Sequence, residues 1–432
     1  MPRLLTALLL LLPALALGAL VIDLKDGRQI LVPVEQHEIE AIRFSADESQ
    51  TRSAAARPDA SKTSPPAAAR PTTWQVGRDR ALKVPSEAAR KARDGDIIEI
   101  DAGIYPNDYV TWRQNDLTIR GVGGMAHLKS NGLIPNRKAI WITRGNNTVI
   151  ENIQFSGAAV QHTNGAGIRH EGGDLTLRNT FFHDNEFSIL TGTLPNAAIE
   201  ITGSRFWNQK RPTRHSHGIY IGAVRRLTLV GNHFTGTDQG HQVKSRALEN
   251  HILYNRIEDV PGGNSSRLID LSNCGLSLVI GNEMHQGATT RNNNAIGYGP
   301  EGCEGRSEEQ MRLYVAHNTF VNEAQAGSFV RNFAGGEVFV ANNLVLGTGQ
   351  ILVGEGSVDG NLQLPLSERV DGTWSPPSGS AAIDGAVELP TPASLSLNPT
   401  REFDPPVGTR DRSNAGPPDI GAREEGIRRS EL

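Results

Sequence analysis

Apolar and polar residues alternate along this chain in short bursts, and the bursts recur. The stretches VIENIQF, LTLRNTFF, LTLVGNHF, ILYNRI, LVIGNEM, LYVAHNTF and VFVANNLV each carry a period-two apolar step up to an asparagine: Asn152, Asn179, Asn232, Asn255, Asn282, Asn318 and Asn342. Ser204 of IEITGSRF fills the one gap, and the intervals are then 27, 25, 28, 23, 27, 36 and 24 residues. Period two means a strand with one face buried, and a supersecondary unit recurring near this spacing means a solenoid. Asparagine suits the corner after such a strand because it tolerates left-handed torsions and its side chain bonds neighbouring amides. Coil stacked on coil, these corners predict a hydrogen-bonded asparagine column. The fold class expected is all-β, a right-handed parallel β-helix, with one short capping helix over Pro85 to Ala92.

The pattern changes outside the repeats. Residues 1–18 hold one arginine, an apolar run and Ala16-Leu17-Gly18, which reads as a signal peptide and its cleavage site. Residues 19–45 alternate around a Lys-Asp-Gly-Arg turn and predict a small β unit. Residues 46–73 are Ala, Pro, Ser, Thr and charge, a disordered linker. The solenoid is expected over 74–425, with GSAAIDG and PDIGAREEG wrapping back over its end. With 46 glycines and 5% aromatics the composition suits a turn-rich solenoid. A net charge of -4 gives no field for nucleic acid, and no second stretch is apolar enough to span a membrane. The expectation is a periplasmic or secreted monomer. Cys274 and Cys303 follow strands of consecutive coils; a disulfide between neighbouring corners is expected there, the alternative being two unrelated thiols.

Candidate chemistry follows from the alternation. With Ile168, Ile189, Ile219, Val243, Ile269, Ile296 and Phe329 as inward anchors, the next residues face outward: Arg169, Leu190, Tyr220, Lys244, Asp270, Gly297 and Val330. Arg246 faces the same way two residues beyond Lys244. A second column, two residues before each anchor, reads His217, His241, Arg267 and Asn294. Together they predict a polar, mostly cationic groove, to which Arg169 and Glu200 contribute from neighbouring strands, and such a groove attracts acidic polymers. Removing the proton beside a uronate carboxylate requires neutralisation of the enolate charge, a base, and an acid for the leaving oxygen. The assignment is Lys244 as base, Arg246 and Arg267 for the carboxylate, and Tyr220 or His217 as acid, with Arg169, Glu200, His241 and Asp270 contacting substrate.

A resemblance supports part of this. GDIIEIDAGIY followed by LTIRGVGG resembles the opening coil of the pectate-lyase-like β-helix superfamily, and SAAIDGA with DIGAREE resembles the tail of many bacterial members. VKSRALENHILYNRI is similar to a coil of the polysaccharide lyase family that includes chondroitinase B and alginate lyases, which implies Lys244 as base. The pattern departs from that family in two places. Where an Arg-His-Gly segment is usual, this chain has LIDLSNCGLS, and the acidic calcium ligands usual before the lysine are unmatched in GTDQGHQVKS, where only Asp238 is acidic. No metal or other cofactor is therefore assigned.

Other readings of the same residues stay open. Lys244 and Arg246 also fit solvated charges on a solenoid face, Asp270 a simple ion-pair partner, one of the histidines a structural corner residue, and Tyr220 a stacking platform for a sugar ring. A uronate C5-epimerase shares the abstraction step. A glycoside hydrolase needs paired carboxylates, for which Glu200, Asp238, Asp270 and Glu301 are available. A non-catalytic carbohydrate-binding or envelope solenoid binds without chemistry.

Overall fold

A computed structural model of the chain describes residues 19–23, 29–33, 70–209, 216–324, 326–370, 372–392, 395–413 and 416–425. The expected signal peptide (1–18) and nearly all of the expected linker (46–73) lie outside them. The chain divides into two compact units, Met1–Ala68 and Ala69–Leu432. In the first, strands Ala19–Asp23 and Gln29–Pro33 pair antiparallel, Asp23 opposite Gln29; the expected Lys-Asp-Gly-Arg turn lies outside the described residues.

The second unit is a right-handed parallel β-helix. One helical turn, Pro85–Ala89, packs near its start, with proline at the first position where its missing N–H costs nothing. Ten short strands stack in register into one sheet, from Val110–Trp112 to Gln350–Val353, and the remaining parallel strands form a second sheet of 21 strands that bends at each corner. Each coil therefore has three sides. Ile168, Ile189, Ile219, Val243, Ile269 and Ile296 all point inward and are fully buried. Opposite them, Phe155, Phe182, Phe206 and Phe234 stack coil on coil with ring centroids 5.0, 5.3 and 4.3 Å apart. Each such ring contributes roughly 1.5–3 kcal/mol by burial alone.

The corner column exists, in a register one residue different at three places. Two tasks that the sequence suggested for one asparagine are divided between two adjacent residues. The first takes the left-handed torsion: Asn152, Asn179, Gly203, Gly231, Tyr254, Gly281, His317 and Asn342 all have φ between 47° and 65°. The second forms the ladder. Asn232 donates through its backbone N–H (2.9 Å) and Nδ2 (3.0 Å) to Oδ1 of Asn255, and the same pair of bonds links Asn255 to Asn282, Asn282 to Asn318, Asn318 to Asn343 and Asn343 to Asn361. Ser204 and Thr180 extend it at the other end, Thr180 donating to Ser204 Oγ at 2.9 Å. Thus Asn152, Asn179 and Asn342 are turn residues, while Thr180 and Asn343 are ladder rungs.

The C-terminal segment lies along a flank of the spiral. Trp374, Ala382 and Ile420 cover the outward Val321, Leu344 and Leu346, and Leu389 and Leu397 cover Leu278, Ile280, Tyr314 and Ala316. It reaches back as far as Gly231, whose carbonyl accepts from the Gly408 N–H at 2.7 Å. Glu283, fully buried beneath it, pairs with Arg256 at 2.6 Å and with Arg423 of the tail.

Candidate functional site

The ten-stranded sheet presents its outward column in the expected order over six of seven coils. Arg169 pairs with Leu190, Leu190 with Tyr220, Tyr220 with Lys244, Lys244 with Asp270, and Asp270 with Gly297. In the next coil Val330 is the residue opposite Ile296, so Arg331, not Val330, stands outside. The expectation that Phe329 anchors that strand is off by one residue because two buried residues, Phe329 and Val330, follow each other at the strand's start. The correction adds a guanidinium to the wall.

Tyr220, Lys244 and Asp270 are therefore neighbours on one face, and further groups converge on them. Lys244 Nζ lies 3.6 Å from Asp270 Oδ1 and donates to Glu301 Oε1 at 2.7 Å, leaving the lysine 8% exposed. Arg246 donates to Glu301 Oε2 through Nε (3.0 Å) and Nη2 (2.6 Å) and to the Tyr220 phenol oxygen, with its guanidinium 4.8 Å from the tyrosine ring centroid. Arg267 arrives from the strand's start, pairs with Asp270 Oδ2 at 2.5 Å, and lies across Gly297, where any Cβ would stand 2.6 Å from its Nε. Only glycine lets this guanidinium lie flat on the wall, towards the Phe333 ring at 5.1 Å. Arg331 lies over the same ring at 4.6 Å.

The second column forms the rim. His217 and His241 stack at 5.1 Å with their planes 11° apart. The His241 N–H donates to His217 Nδ1 at 2.9 Å, and the Arg267 N–H donates to His241 Nδ1 at 3.1 Å. An acceptor nitrogen carries no proton, so the backbone assigns both neutral rings the tautomer with hydrogen on Nε2. His241 Nε2 lies 3.4 Å from Asp270 Oδ2. Between the two rings and Gln239, Gly240, Ser266 and Arg291 opens a cleft of about 370 Å³.

Electrostatics separates the carboxylates from the cations. Burial pushes the Asp270 carboxyl up, but His241 and Lys244 beside it, the Ser272 hydroxyl and Arg267 outweigh burial and hold it below the usual carboxylate range. Burial likewise acts upward on Glu301, and the hydrogen bonds from Lys244 and Arg246 win. Both are ionised at neutral pH. Neither is a proton donor.

Of two expected contributors, one stands elsewhere and one lies further along the same wall. Glu200 is exposed on strand Leu194–Thr202 of the other sheet, between Thr176 and Thr228, because alternation fixes inward or outward but not which side of the coil. Arg169 is two strands from Tyr220, with Leu190 between, and lies 3.9 Å from Glu171. The residue that sequence reasoning placed only among spare carboxylates is Glu301. It returns to the wall because Cys274 and Cys303 are disulfide-bonded, and the Arg306 guanidinium donates to the Asn273 and Arg246 carbonyls at 3.0 Å each. The paired cysteines were the available signal.

Calcium needs six to eight oxygen ligands, and the run ahead of Lys244 offers Asp238 as its one carboxylate. Among the described residues no group of three or more His, Cys, Asp or Glu is arranged to hold a metal, and no helix is long and apolar enough to cross a membrane.

A stacked parallel wall with charged groups on its outside invites comparison with solved structures. The pectate lyase Pel9A superposes with a TM-score of 0.58 over 83% of this chain and 97% of its own, at 13% identity. The chain has the pectate lyase β-helix fold. At that identity the likeness is one of fold alone. Lesser likenesses, with TM-scores of 0.44 and 0.42, are to ORF18 of Geobacillus virus E2 (13% identity, 65% of this chain and 56% of that one) and to a lacto-N-biosidase from Eubacterium ramulus (11%, 67% and 68%). No family model matches the chain, and no curated protein matches it. On the pectate lyase β-helix fold, the wall from Tyr220 to Arg331 is where the candidate residues gather.

Proposed function

We propose that this chain is an exported enzyme that cleaves uronate-containing polysaccharide by β-elimination. The observation that carries the reading is the convergence of a phenol, a lysine amino group and guanidinium groups, Tyr220, Lys244, Arg246 and Arg267, on one outer wall. Arg246 and Arg267 neutralise the uronate carboxylate as enolate charge develops on it. Lys244, acting as the neutral amine, takes the C5 hydrogen as a proton, the electron pair of that bond becomes the C4–C5 double bond, and the C4–O bond breaks. Tyr220, whose oxygen accepts from Arg246, passes its proton to the departing oxygen. No water is consumed. A hydrolase on this wall is less well supported, because it needs one protonated carboxyl and both Asp270 and Glu301 are held ionised.

The test is to incubate the purified chain with pectate, alginate and glycosaminoglycans while following the ultraviolet absorbance of unsaturated uronate. Elimination is expected on at least one of them, and Tyr220→Phe is expected to lower kcat by about 10²–10⁴-fold. New reducing ends without absorbance would replace the reading with hydrolysis, and neither signal would replace it with a binding protein.

A further inference from the structure

Glu301 is oddly placed for a surface carboxylate. Its two oxygens are divided between cations on one outer wall, Oε1 on Lys244 at 2.7 Å and Oε2 on Arg246 at 2.6 Å, and the phenol that Arg246 also touches stands beside it. It comes from 55 and 57 residues further along the chain. Its side chain is 38% exposed, in contrast to the 1% of Asp270 beneath. Its backbone is fixed. The Glu301 N–H donates to the Ser272 carbonyl at 2.9 Å, Asn273 Nδ2 donates to the Gly302 carbonyl at 3.1 Å, and Cys303 is disulfide-bonded. Gly299 permits this packing, since a Cβ there would lie 2.9 and 3.0 Å from the two sulfurs. Only the Glu301 side chain is placed to swing away.

We propose that the Glu301 carboxylate occupies the subsite of the substrate's own carboxylate, as an internal anion that a uronate unit must displace. The inference rests on reading this wall as a uronate site. A carboxylate bridging a lysine and an arginine shows where that subsite is and that it takes one planar anion, so the recognised unit is a sugar acid rather than a neutral or sulfated sugar. With Glu301 in place the wall is closed to weak ligands, and a polymer opens it by binding neighbouring coils at the same time. Glu301 thus acts on selectivity and not as a proton carrier.

The experiment is calorimetric titration of the full chain and of its Glu301→Gln and Glu301→Ala variants with trisaccharides of galacturonate and mannuronate and with a glucuronate-containing trisaccharide. Removal of the internal anion is expected to tighten binding of at least one of them about tenfold or more, equivalent to ~1.4 kcal/mol. Glutamine, which keeps the volume and loses the charge, should tighten it too, and a neutral maltotriose should be unaffected. Acetate should weaken uronate binding to Glu301→Ala more than to the parent. Unchanged or weaker uronate binding in both variants, with an unaltered melting midpoint, overturns the inference, as does the absence of uronate binding by all three proteins. Tightened binding without elimination would retain this inference and remove the lyase assignment, and elimination with no tightening would do the reverse.

Discussion

Asp270 is the residue on which the wall's charge balance turns. It is 1% exposed and meets Arg267, Lys244, His241 and the Ser272 hydroxyl, so its charge is compensated from four directions. Because its folded pKa lies below the unfolded value near 3.9, its contribution to stability is fully present above that value and is lost as pH falls through the folded pKa. Replacing it by Asn removes the carboxylate from the largely buried Arg267 and one of the two from Lys244, and is expected to cost about 3 kcal/mol at neutral pH. Urea unfolding of both proteins across a pH series should show the gap closing below about pH 4; a gap independent of pH would contradict this. At this scale much of the site was legible. Strict alternation placed Tyr220, Lys244 and Asp270 side by side, and parity placed His217, His241 and Arg267 on the rim. Glu301 was not legible as a partner because nothing local announces a contact made 57 residues away. Arg331 was hidden by two consecutive buried residues that shifted the phase of one strand.

Among the elements, the ladder carries the sharpest prediction. Asn282 is fully buried, donates to the Ile252 and Ile280 carbonyls at 2.8 and 3.2 Å and to Asn318, and accepts twice from Asn255. Alanine there strands buried donors and acceptors in two coils, at an expected cost of about 3 kcal/mol, since each unsatisfied group costs roughly 1–3 kcal/mol. Asn152, at a left-handed corner with φ 57°, bonds from a half-buried position, accepting from Asn179 Nδ2 at 2.7 Å and donating to the Gly121 carbonyl at 3.3 Å, where water can replace the partners it loses. Glycine there should alter stability by less than about 1 kcal/mol, because it adopts that torsion without strain. Thermal unfolding of the two variants distinguishes ladder from corner, and equal losses would show that the distinction is false. The sequence showed that asparagines recur at corners, yet it did not show which of two adjacent residues turns and which bonds. Both tasks favour the same residue type, so Asn342 and Asn343 look alike until the chain is coiled.

For the whole molecule, the spiral was readable because its signal repeats, each coil restating the pattern of the one before. The tail was not, for it appears once and its apolar residues follow no period. GSAAIDG and PDIGAREEG were expected over the end of the spiral, and they run along its flank instead, where Leu278, Ile280, Leu344 and Leu346 point outward and require cover. A chain ending at residue 370 would expose that flank and remove Arg423 from the buried Glu283. Such a protein is expected to bind a hydrophobic dye and to elute as aggregates in size-exclusion chromatography, while a soluble, dye-silent truncation would mean that the flank needs no cover. The bond between Cys274 and Cys303 has a practical corollary at the bench. Dithiothreitol is not an inert additive for this molecule, since it cuts one tether of the stretch that presents Glu301 to the wall, and measurements made with and without it would describe two differently fastened molecules.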